Sequence, residues 1–325
     1  MTSFWQRLCA LFLISASALC SAQTTSFASD TRPIRIVVIT SPGGSADILA
    51  RVLAEKLSPM LNRPVIVENK AGAGGNIASE FVARAAPDGT TLLLTANNHN
   101  INPALYATVP YDPEKDFAAV VQLARGPSVL AVHPSFPFAS VAELLAAAKS
   151  KPGTISFASG GLGNPGHIQG ELFQLQGGVK LNHVPYKGAG PAMTDAVAGQ
   201  IPVVFGSIAS ALPFIRAGKL RALGVTSSSR ASIAPEVPTI AEAGVPGYEY
   251  DLWWGLFAPR STPVPVVGAL NDAVARVLAM PDVRDKLIAQ GIDPVGKSSQ
   301  DFEVMLKDDL AKSIRLVRTA NLKAE

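Results

Sequence analysis

The chain has 325 residues, of which 48% are apolar and 16% are charged. This balance is typical of a compact α/β protein and argues against disorder. The net charge of +3, with no cluster of Lys and Arg, excludes a nucleic-acid-binding surface, and the length allows two domains of ordinary size.

A signal peptide is predicted over residues 1–28. Arg7 precedes an apolar stretch, 8–19, which small residues follow. Cleavage after Ala22 or after Ala28 would fit a small-x-small rule, and the stretch is too short to span a membrane. We therefore expect an exported protein, located in the periplasm of a bacterium.

Both cysteines, Cys9 and Cys20, lie in this leader. The mature chain is therefore expected to have no disulfide, no thiol nucleophile and no cysteine-based metal site. Cys20 raises the alternative of a lipoprotein. Leu19 disfavours it, because a lipidated cysteine normally follows Gly or Ala.

After the leader, short apolar runs alternate with helical patterns, which predicts an α/β fold with buried parallel strands. Strands are expected over 34–39, 64–68, 91–94, 128–133, 155–158, 182–185, 203–205, 221–225 and 255–258. Helices are expected over 46–60, 76–85, 140–149, 167–176, 192–198, 212–217, 265–278 and 301–318.

The order of these elements predicts two α/β domains. The strand at 255–258 is expected to rejoin the first sheet, because the helices that follow have no sheet of their own. Domain 1 is then 30–125 plus 250–325, and domain 2 is 126–249. Two crossings between the domains form a hinge.

Two glycine-rich turns each join a strand to a helix. The first is SPGGSAD at 41–47 and the second is SGGLGNPGH at 159–167. Such a turn leaves backbone N–H groups free, and the helix dipole adds positive potential, so it can hold an anion without a charged side chain. We expect the two domains to close on one small anion between these turns.

Two further patterns resemble phosphate-binding motifs, but the segments around them do not support nucleotide binding. GIDPVGKS at 291–298 matches a P-loop, but it follows a helix end instead of a buried strand, which makes Gly291 a helix C-cap and Ser298 or Ser299 an N-cap. The spacing of Gly161, Gly163 and Gly166 matches a dinucleotide fingerprint, but the next strand ends without an acid to bind a ribose.

Hydrolytic and metal chemistry have little support. The chain has no Gly-x-Ser-x-Gly elbow. Its four histidines, His99, His133, His167 and His183, lack metal-ligand spacing. We expect no catalysis, no cofactor and no metal.

An ordered set of motifs covers nearly all of the mature chain. They are SPGG at 41–44 with Asp47, VENKAGAGGNI at 67–77, APDG at 86–89, NPALY at 102–106, GH at 166–167, HVPYKG at 183–188 and WGLFAP at 254–259. Together they resemble the Bug receptors, the extracytoplasmic solute-binding components of tripartite tricarboxylate transporters.

The resemblance implies a two-domain periplasmic-binding-protein fold of the type II clamshell kind, with the ligand in the cleft between the lobes. It also implies a receptor for a small carboxylate: a dicarboxylate, a tricarboxylate, an acidic amino acid or an aromatic acid. Membrane permease subunits would be its partners, and we expect a monomer. Two loops depart from the family pattern, at 95–99 and 206–207, and leave the identity of the acid open.

The turns and strand ends supply the predicted site. Predicted ligand-binding residues are Pro42, Gly43, Gly44, Ser45, Thr95, Asn97, Asn98, His99, Ser159, Gly160, Gly161, Gly163, Asn164, His167, Tyr186, Gly206 and Ser207. Asp47 is expected to orient the first turn or only to cap its helix, and Asn76 to cap a helix behind the site. The Tyr186 hydroxyl is expected to point inward over the ligand.

Two other functions stay open at this stage. One is a receptor that signals to a membrane sensor and feeds no transporter. The other is an exported enzyme on the same fold, which would alter its ligand where a receptor leaves it unchanged.

Overall fold

The computed structural model describes Phe27, residues 30–319 and Leu322. The predicted signal peptide and both cysteines lie outside the described residues. The strands are β1 (Ile34–Val38), β2 (Val65–Asn69), β3 (Thr91–Ala96), β4 (Phe117–Val132), β5 (Ser156–Ser159), β6 (Asn182–Pro185), β7 (Val203–Ser207), β8 (Arg221–Val225), β9 (Asp251–Pro259) and β10 (Asp293–Lys297).

Ten α-helices are found in the described part of the chain. They are α1 (Ser45–Met60), α2 (Asn76–Ala83), α3 (Asn98–Leu105), α4 (Val141–Ser150), α5 (Pro165–Gly177), α6 (Ala189–Val197), α7 (Ile208–Arg216), α8 (Val264–Ala279), α9 (Pro281–Ile288) and α10 (Ser299–Thr319).

One long strand, β4, belongs to two groups of strands. Its first part pairs with β9, which continues through β3 and β1 to β2. Its last part, from Ser128 to Val132, pairs with β7, which continues through β5 to β6. We call the β1, β2, β3, β9 and β10 side the first lobe and the β5 to β8 side the second lobe.

Strand direction places the loops that matter for a site. Within the first lobe β1 is parallel to β2 and β3, and within the second lobe β5 is parallel to β6 and β7. The carboxyl ends of β1 and β5 therefore carry the two predicted glycine turns, at the edges where open α/β sheets bind ligands. The predicted domain bounds fall within β4 and just before β9, and stay a prediction.

Apolar cores lie on both faces of each group of strands. All six residues of β3 are buried, as expected for a continuous apolar run between two helical layers. Helices α1 and α8 pack on one face of the first lobe, through residues such as Leu53 and Leu270. In the second lobe, Phe157 and Phe173 are buried in the largest cluster.

Three elements differ most from the sequence prediction. Strand β4 begins 11 residues earlier than predicted, helix α3 occupies a segment predicted as loop, and β10 adds an edge pairing to β4. Helix α3 is rich in Asn and contains Pro103, so its local propensity is low. It forms because buried side-chain amides bond to neighbouring backbone.

The P-loop-like segment has no P-loop structure. It begins after α9 at Gly291, whose φ of +73° is that of a helix-ending glycine. Ser298 accepts a hydrogen bond from the Asp301 N–H and caps α10. The expected caps are confirmed, and β10 lies between them.

Within the described residues, no single helix is long and apolar enough to cross a membrane. Helices α8 and α9 together have the length and apolar composition of a span, but they are bent by 72° relative to each other.

Candidate functional site

The first glycine turn touches the second lobe directly. The Ser41 hydroxyl donates to the backbone carbonyl of Lys187 at 3.0 Å, and the hydroxyl groups of Ser45 and Ser207 lie 2.7 Å apart. A third link joins the lobes deeper in the cleft, where the Tyr106 hydroxyl donates to the Leu162 carbonyl at 2.9 Å. The cleft is therefore closed.

Asp47 holds the shape of the first turn. Its carboxylate accepts hydrogen bonds from the Gly43 N–H, from Arg51 Nε and from Asn69 Nδ2, each at 3.0 Å. Burial alone would raise the pKa of Asp47, but these hydrogen bonds outweigh it and keep the pKa below its ordinary value. The carboxylate is thus ionised, and it occupies the Gly43 N–H that a ligand could otherwise use.

The second glycine turn is fixed mainly by bonds within itself. The Gly161 N–H donates to Ser159 Oγ at 3.2 Å and the Gly163 N–H to His167 Nδ1 at 3.3 Å. Asn164 caps α5, because its Oδ1 accepts from the Gly166 N–H at 3.0 Å. Several N–H groups expected to hold an anion are therefore already bonded.

Two stacked imidazoles support this turn from behind. The rings of His167 and His183 lie 4.3 Å apart, and His183 Nε2 is 2.6 Å from the hydroxyl of the buried Ser159. Burial lowers the pKa of His167 to about 3, helped by the neighbouring His183, and lowers the pKa of His183 to about 4. Both rings are neutral at neutral pH, which suits a scaffold that orders the turn.

A third glycine turn, at residues 72–75, contributes to the site and was not predicted to do so. Gly72, Ala73, Gly74 and Gly75 all have positive φ, from +46° to +130°. Turns of this kind can present successive N–H groups as a concave anion-binding surface. The sequence GAGG was a visible signal, but it entered the sequence analysis only as part of the family motif at 67–77.

Buried amides hold this third turn in place. The Nδ2 groups of Asn98 and Asn102 both donate to the Gly74 carbonyl, the latter at 3.0 Å. Asn102 Nδ2 also donates to Asn76 Oδ1 at 2.7 Å. The expectation that Asn76 caps α2 is wrong, because Gly75 holds the N-cap position and the Asn76 side chain is tied to α3 instead.

A central cavity of about 420 Å³ lies between the second and third glycine turns. It is lined by Ile39, Thr40, Ala71, Gly72, Ala73, Gly74, Gly75, Asn98, Tyr106, Gly160, Gly161, Leu162, Asn164, Pro185, Tyr186, Lys187 and Gly188. Among the described residues that line it, Lys187 is the single charged one. Two of these residues carry a buried oxygen, Thr40 Oγ1 and Asn98 Oδ1, that has no hydrogen-bond partner in the described structure.

The first turn lines a different space. Pro42, Gly43 and Gly44 border a rim recess of about 470 Å³ against α6. The expectation that the two predicted glycine turns face each other across one cavity is therefore wrong. Ser41 packs on Gly188, and this contact lies between the recess and the central cavity.

Three residues after β3 have separate surroundings. Asn98 lines the central cavity, whereas Asn97 bonds to the backbone of β9 through the Trp253 N–H and the Asp251 carbonyl. The ring of His99 packs 4.5 Å from that of Phe257 in an aromatic cluster. Asn97 and His99 are thus turned toward the protein interior.

The remaining predicted residues are placed as follows. Thr95 is buried within β3, Gly206 pairs with β4, and the Ser207 hydroxyl caps α7 at the Ala209 N–H. The inward-pointing hydroxyl expected for Tyr186 is wrong, because that hydroxyl donates to Asp195 Oδ2 at 2.7 Å. Burial and this carboxylate raise the pKa of Tyr186 to about 12, so the hydroxyl stays protonated.

Among the described residues, no group of three or more His, Cys, Asp or Glu side chains is arranged to hold a metal ion.

Comparison with known proteins decides the family. Residues 49–322 match the family model described as tripartite tricarboxylate transporter family receptor. The chain belongs to this family. A curated relative, protein BugT of Bordetella pertussis, is 35% identical over 310 residues, which cover 95% of each chain. The resemblance to Bug receptors is confirmed.

Solved structures of the receptor family share this fold. Rpa4515 of R. palustris, solved with adipate, is 36% identical with a TM-score of 0.88, over 91% of this chain and 99% of that one. MatC from Rhodopseudomonas palustris, solved with bound malate, is 34% identical with a TM-score of 0.84, over 88% and 99%. The periplasmic binding protein BugD is 32% identical with a TM-score of 0.87, over 91% and 100%.

These comparisons confirm the two-lobe α/β periplasmic-binding-protein fold. They also establish the class of activity: the family consists of periplasmic solute-binding receptors, and this chain is a receptor and not an enzyme.

Proposed function

We propose that this receptor captures a small organic carboxylate in the central cavity and delivers it to the permease subunits of a tripartite tricarboxylate transporter. The observation that carries the proposal is the cavity itself: about 420 Å³, enclosed by two glycine-rich turns, one from each lobe. This volume is within the range of small-molecule sites.

The electrostatics of the cavity favour a small anion. Among the described lining residues, one carries a positive charge and none a negative charge. The α5 helix begins beside the second turn, so its N-terminus adds positive potential there. The bound adipate and malate of the two R. palustris relatives are acids of this size.

Closure of the lobes supports a receptor that traps its ligand. The hydrogen bonds of Ser41, Ser45 and Tyr106 all cross the cleft, so the closed form presents a surface that depends on both lobes. A permease that recognises this surface would distinguish loaded from empty receptor. A membrane sensor could use the same surface, and remains the second candidate.

Export through the predicted signal peptide and a monomeric mature form are part of the proposal.

The test is a thermal-shift and calorimetric screen of the mature protein against dicarboxylates, tricarboxylates, acidic amino acids and aromatic acids. We expect at least one acid to bind with micromolar affinity and to be recovered unchanged. Failure of all four classes to bind would contradict the proposal.

A matched pair of variants locates the site. Thr40→Val changes a residue that lines the central cavity, and Thr262→Val makes the same change at a buried threonine that does not line it. We expect Thr40→Val to weaken the selected acid about 5- to 10-fold, equivalent to about 1 kcal/mol, the net contribution of one hydrogen bond. Thr262→Val should bind as wild type does; equal effects would place the site elsewhere.

A further inference from the structure

We propose that His167 is a positioning residue for ligand capture. Its Nδ1 accepts the Gly163 N–H, and this hydrogen bond holds the segment of the second glycine turn on which the first lobe docks when the cleft closes. The inference rests on the proposed function and goes beyond it, because His167 is not among the described residues that line the central cavity.

Leu162 and Gly163 form the part of the second turn that meets the first lobe. The Leu162 carbonyl accepts from the Tyr106 hydroxyl at 2.9 Å, and it lies 2.6 Å from the position of a Cβ on Gly74. Gly163 is buried, and a Cβ there would overlap Asn102 Oδ1 of helix α3. A displacement of this backbone segment would therefore disturb the closed contact between the lobes.

The His167 ring supplies the acceptor that fixes this segment. Gly163 has a φ of +72°, and its N–H donates to His167 Nδ1 at 3.3 Å. The ring stands on the first turn of α5, where the Asn164 carbonyl accepts from the His167 N–H at 2.9 Å. The position of the Gly163 N–H is thus set from a helix of the second lobe.

One protonation state of the ring allows this bond. An imidazole nitrogen accepts a hydrogen bond only when it carries no proton. Acceptance at Nδ1 therefore requires the neutral form with its proton on Nε2, which lies 3.8 Å from Glu171 Oε1. Burial, helped by the neighbouring His183, lowers the pKa of His167 to about 3, so the acceptor is present at neutral pH.

The surroundings of the ring keep its acceptor on Gly163. The rings of His167 and His183 are stacked, 4.3 Å apart at 22°, and His183 also stacks on Phe157 at 4.8 Å. His167 is buried, so its ring has little room to rotate away. Without the acceptor, the buried Gly163 N–H would be unpaired where the lobes meet, at a cost to the closed form that holds the ligand.

Two substitutions at position 167 separate the acceptor from the ring. His167→Asn places Oδ1 as many bonds from the backbone as Nδ1, so it can accept the Gly163 N–H. His167→Phe keeps an aromatic ring in the stack and has no acceptor. A residue with only a packing role would be replaced better by Phe than by Asn, whereas a positioning acceptor would be replaced better by Asn.

Affinity for a carboxylate is the first readout. Malate, citrate, glutamate and benzoate are titrated calorimetrically into the mature protein, and the tightest of the four is used with the variants. We expect His167→Phe to raise the dissociation constant at least about 10-fold, because a buried donor is left unpaired, and His167→Asn to stay within about 3-fold of wild type.

His133→Phe is the matched control. His133 Nδ1 also accepts a backbone N–H, from Ser135 at 3.2 Å. His133 directly follows Val132, which pairs with Val203 at the amino end of β7, whereas the second turn follows the carboxyl end of the parallel strand β5. We expect His133→Phe to bind the same acid as wild type does.

Nitrogen-15 NMR of the imidazoles is the second readout and needs no ligand. At pH 7 we expect the His167 signals, assigned by their loss in His167→Asn, to show an unprotonated Nδ1 and a protonated Nε2. Exchange of the Gly163 amide proton should be faster in His167→Phe than in wild type and His167→Asn. A proton on Nδ1 would overturn the inference even if neither variant folds.

The outcomes distinguish this inference from the proposed function. Wild-type affinity in a folded His167→Phe protein, or an equal loss in His167→Asn and His167→Phe, overturns the positioning role and leaves a carboxylate receptor. A similar loss in His133→Phe also overturns it. Failure of the four acids and of the wider screen to bind the wild-type protein overturns both.

Discussion

The hydroxyl groups of Ser45 and Ser207 form a hydrogen bond of 2.7 Å across the cleft. Ser45 is the first residue of α1 in the first lobe, and Ser207 ends β7 in the second. Both residues lie where a strand leads into a helix, so the bond joins the strand-to-helix junctions of the two lobes. It can exist only while the lobes are closed.

Removing this bond should weaken ligand binding through closure. For Ser45→Ala we expect the dissociation constant of the tightest acid in the screen to rise about 5-fold, since one neutral hydrogen bond contributes about 1 kcal/mol. Ser150→Ala, which removes a hydroxyl bonded within its own helix, is the control. Calorimetry that shows the same affinity for Ser45→Ala and wild type would exclude this role.

Gly74 should be required for closure of the lobes because it lacks a side chain, and not only because of its positive φ. A Cβ at this position would lie 2.6 Å from the Leu162 carbonyl oxygen and 2.9 Å from the Tyr106 hydroxyl. We expect Gly74→Ala to weaken binding at least 100-fold, because the side chain would hold the lobes apart.

Gly247→Ala provides the matched control for Gly74→Ala. Both glycines have positive φ, +63° and +79°, but a Cβ at Gly247 meets nothing within 4 Å. Both variants should lose roughly 1–2 kcal/mol of unfolding free energy through backbone strain, measured in urea. Only Gly74→Ala should lose affinity; similar affinities for the two would show that the cleft tolerates the methyl group.

Asp47 should stabilise the fold in a pH-dependent manner. Its pKa is lowered in the folded protein, so its contribution is present above the unfolded value of about 3.9 and is lost as the pH falls below it. We expect Asp47→Asn to lower the melting temperature at pH 7. The difference from wild type should shrink between pH 5 and pH 3; a constant difference over that range would contradict the ionic role.

His99 should make the fold less stable in mild acid. Burial lowers its pKa to about 4, against a weaker opposing effect of the Pro113 carbonyl, while the unfolded value is about 6.5. The unfolded chain therefore binds the proton first, and stability falls as the pH drops from 6.5 toward 4, by up to about 1.4 kcal/mol per pH unit.

His99→Phe should remove that part of the pH dependence. The ring already packs against Tyr111, Phe117 and Phe257, so an aromatic replacement suits its surroundings. Urea unfolding of both proteins at pH 8 and pH 5 is the measurement. An equal loss of stability for both between the two values would show that His99 is not the titrating group.

The sequence predicted most elements because their signals are local. The apolar run of β3 and the helical pattern over 140–149 gave a strand and a helix near their observed positions. In the structure, Ser140 Oγ accepts from the Glu143 N–H and caps that helix. The motif set gave the family and hence the fold.

The cavity could not be predicted in the same way. The position of each glycine turn relative to the others depends on how β4 and β9 orient the two lobes. No local sequence pattern encodes that orientation. The turn at 72–75 was therefore not assigned to the site, and the first predicted turn was expected to face the second across the cleft. Helix α3 was missed because its Asn98 and Asn102 amides are satisfied by the distant Gly74 carbonyl.

Strand β4 couples the unfolding of the two lobes. Its Val121 and Leu123 belong to the main core of the first lobe, and its Leu130 and Val132 to that of the second. Fraying this one strand would hydrate both interiors at once. The receptor should consequently melt in a single calorimetric transition, and neither lobe expressed alone would retain a complete interior.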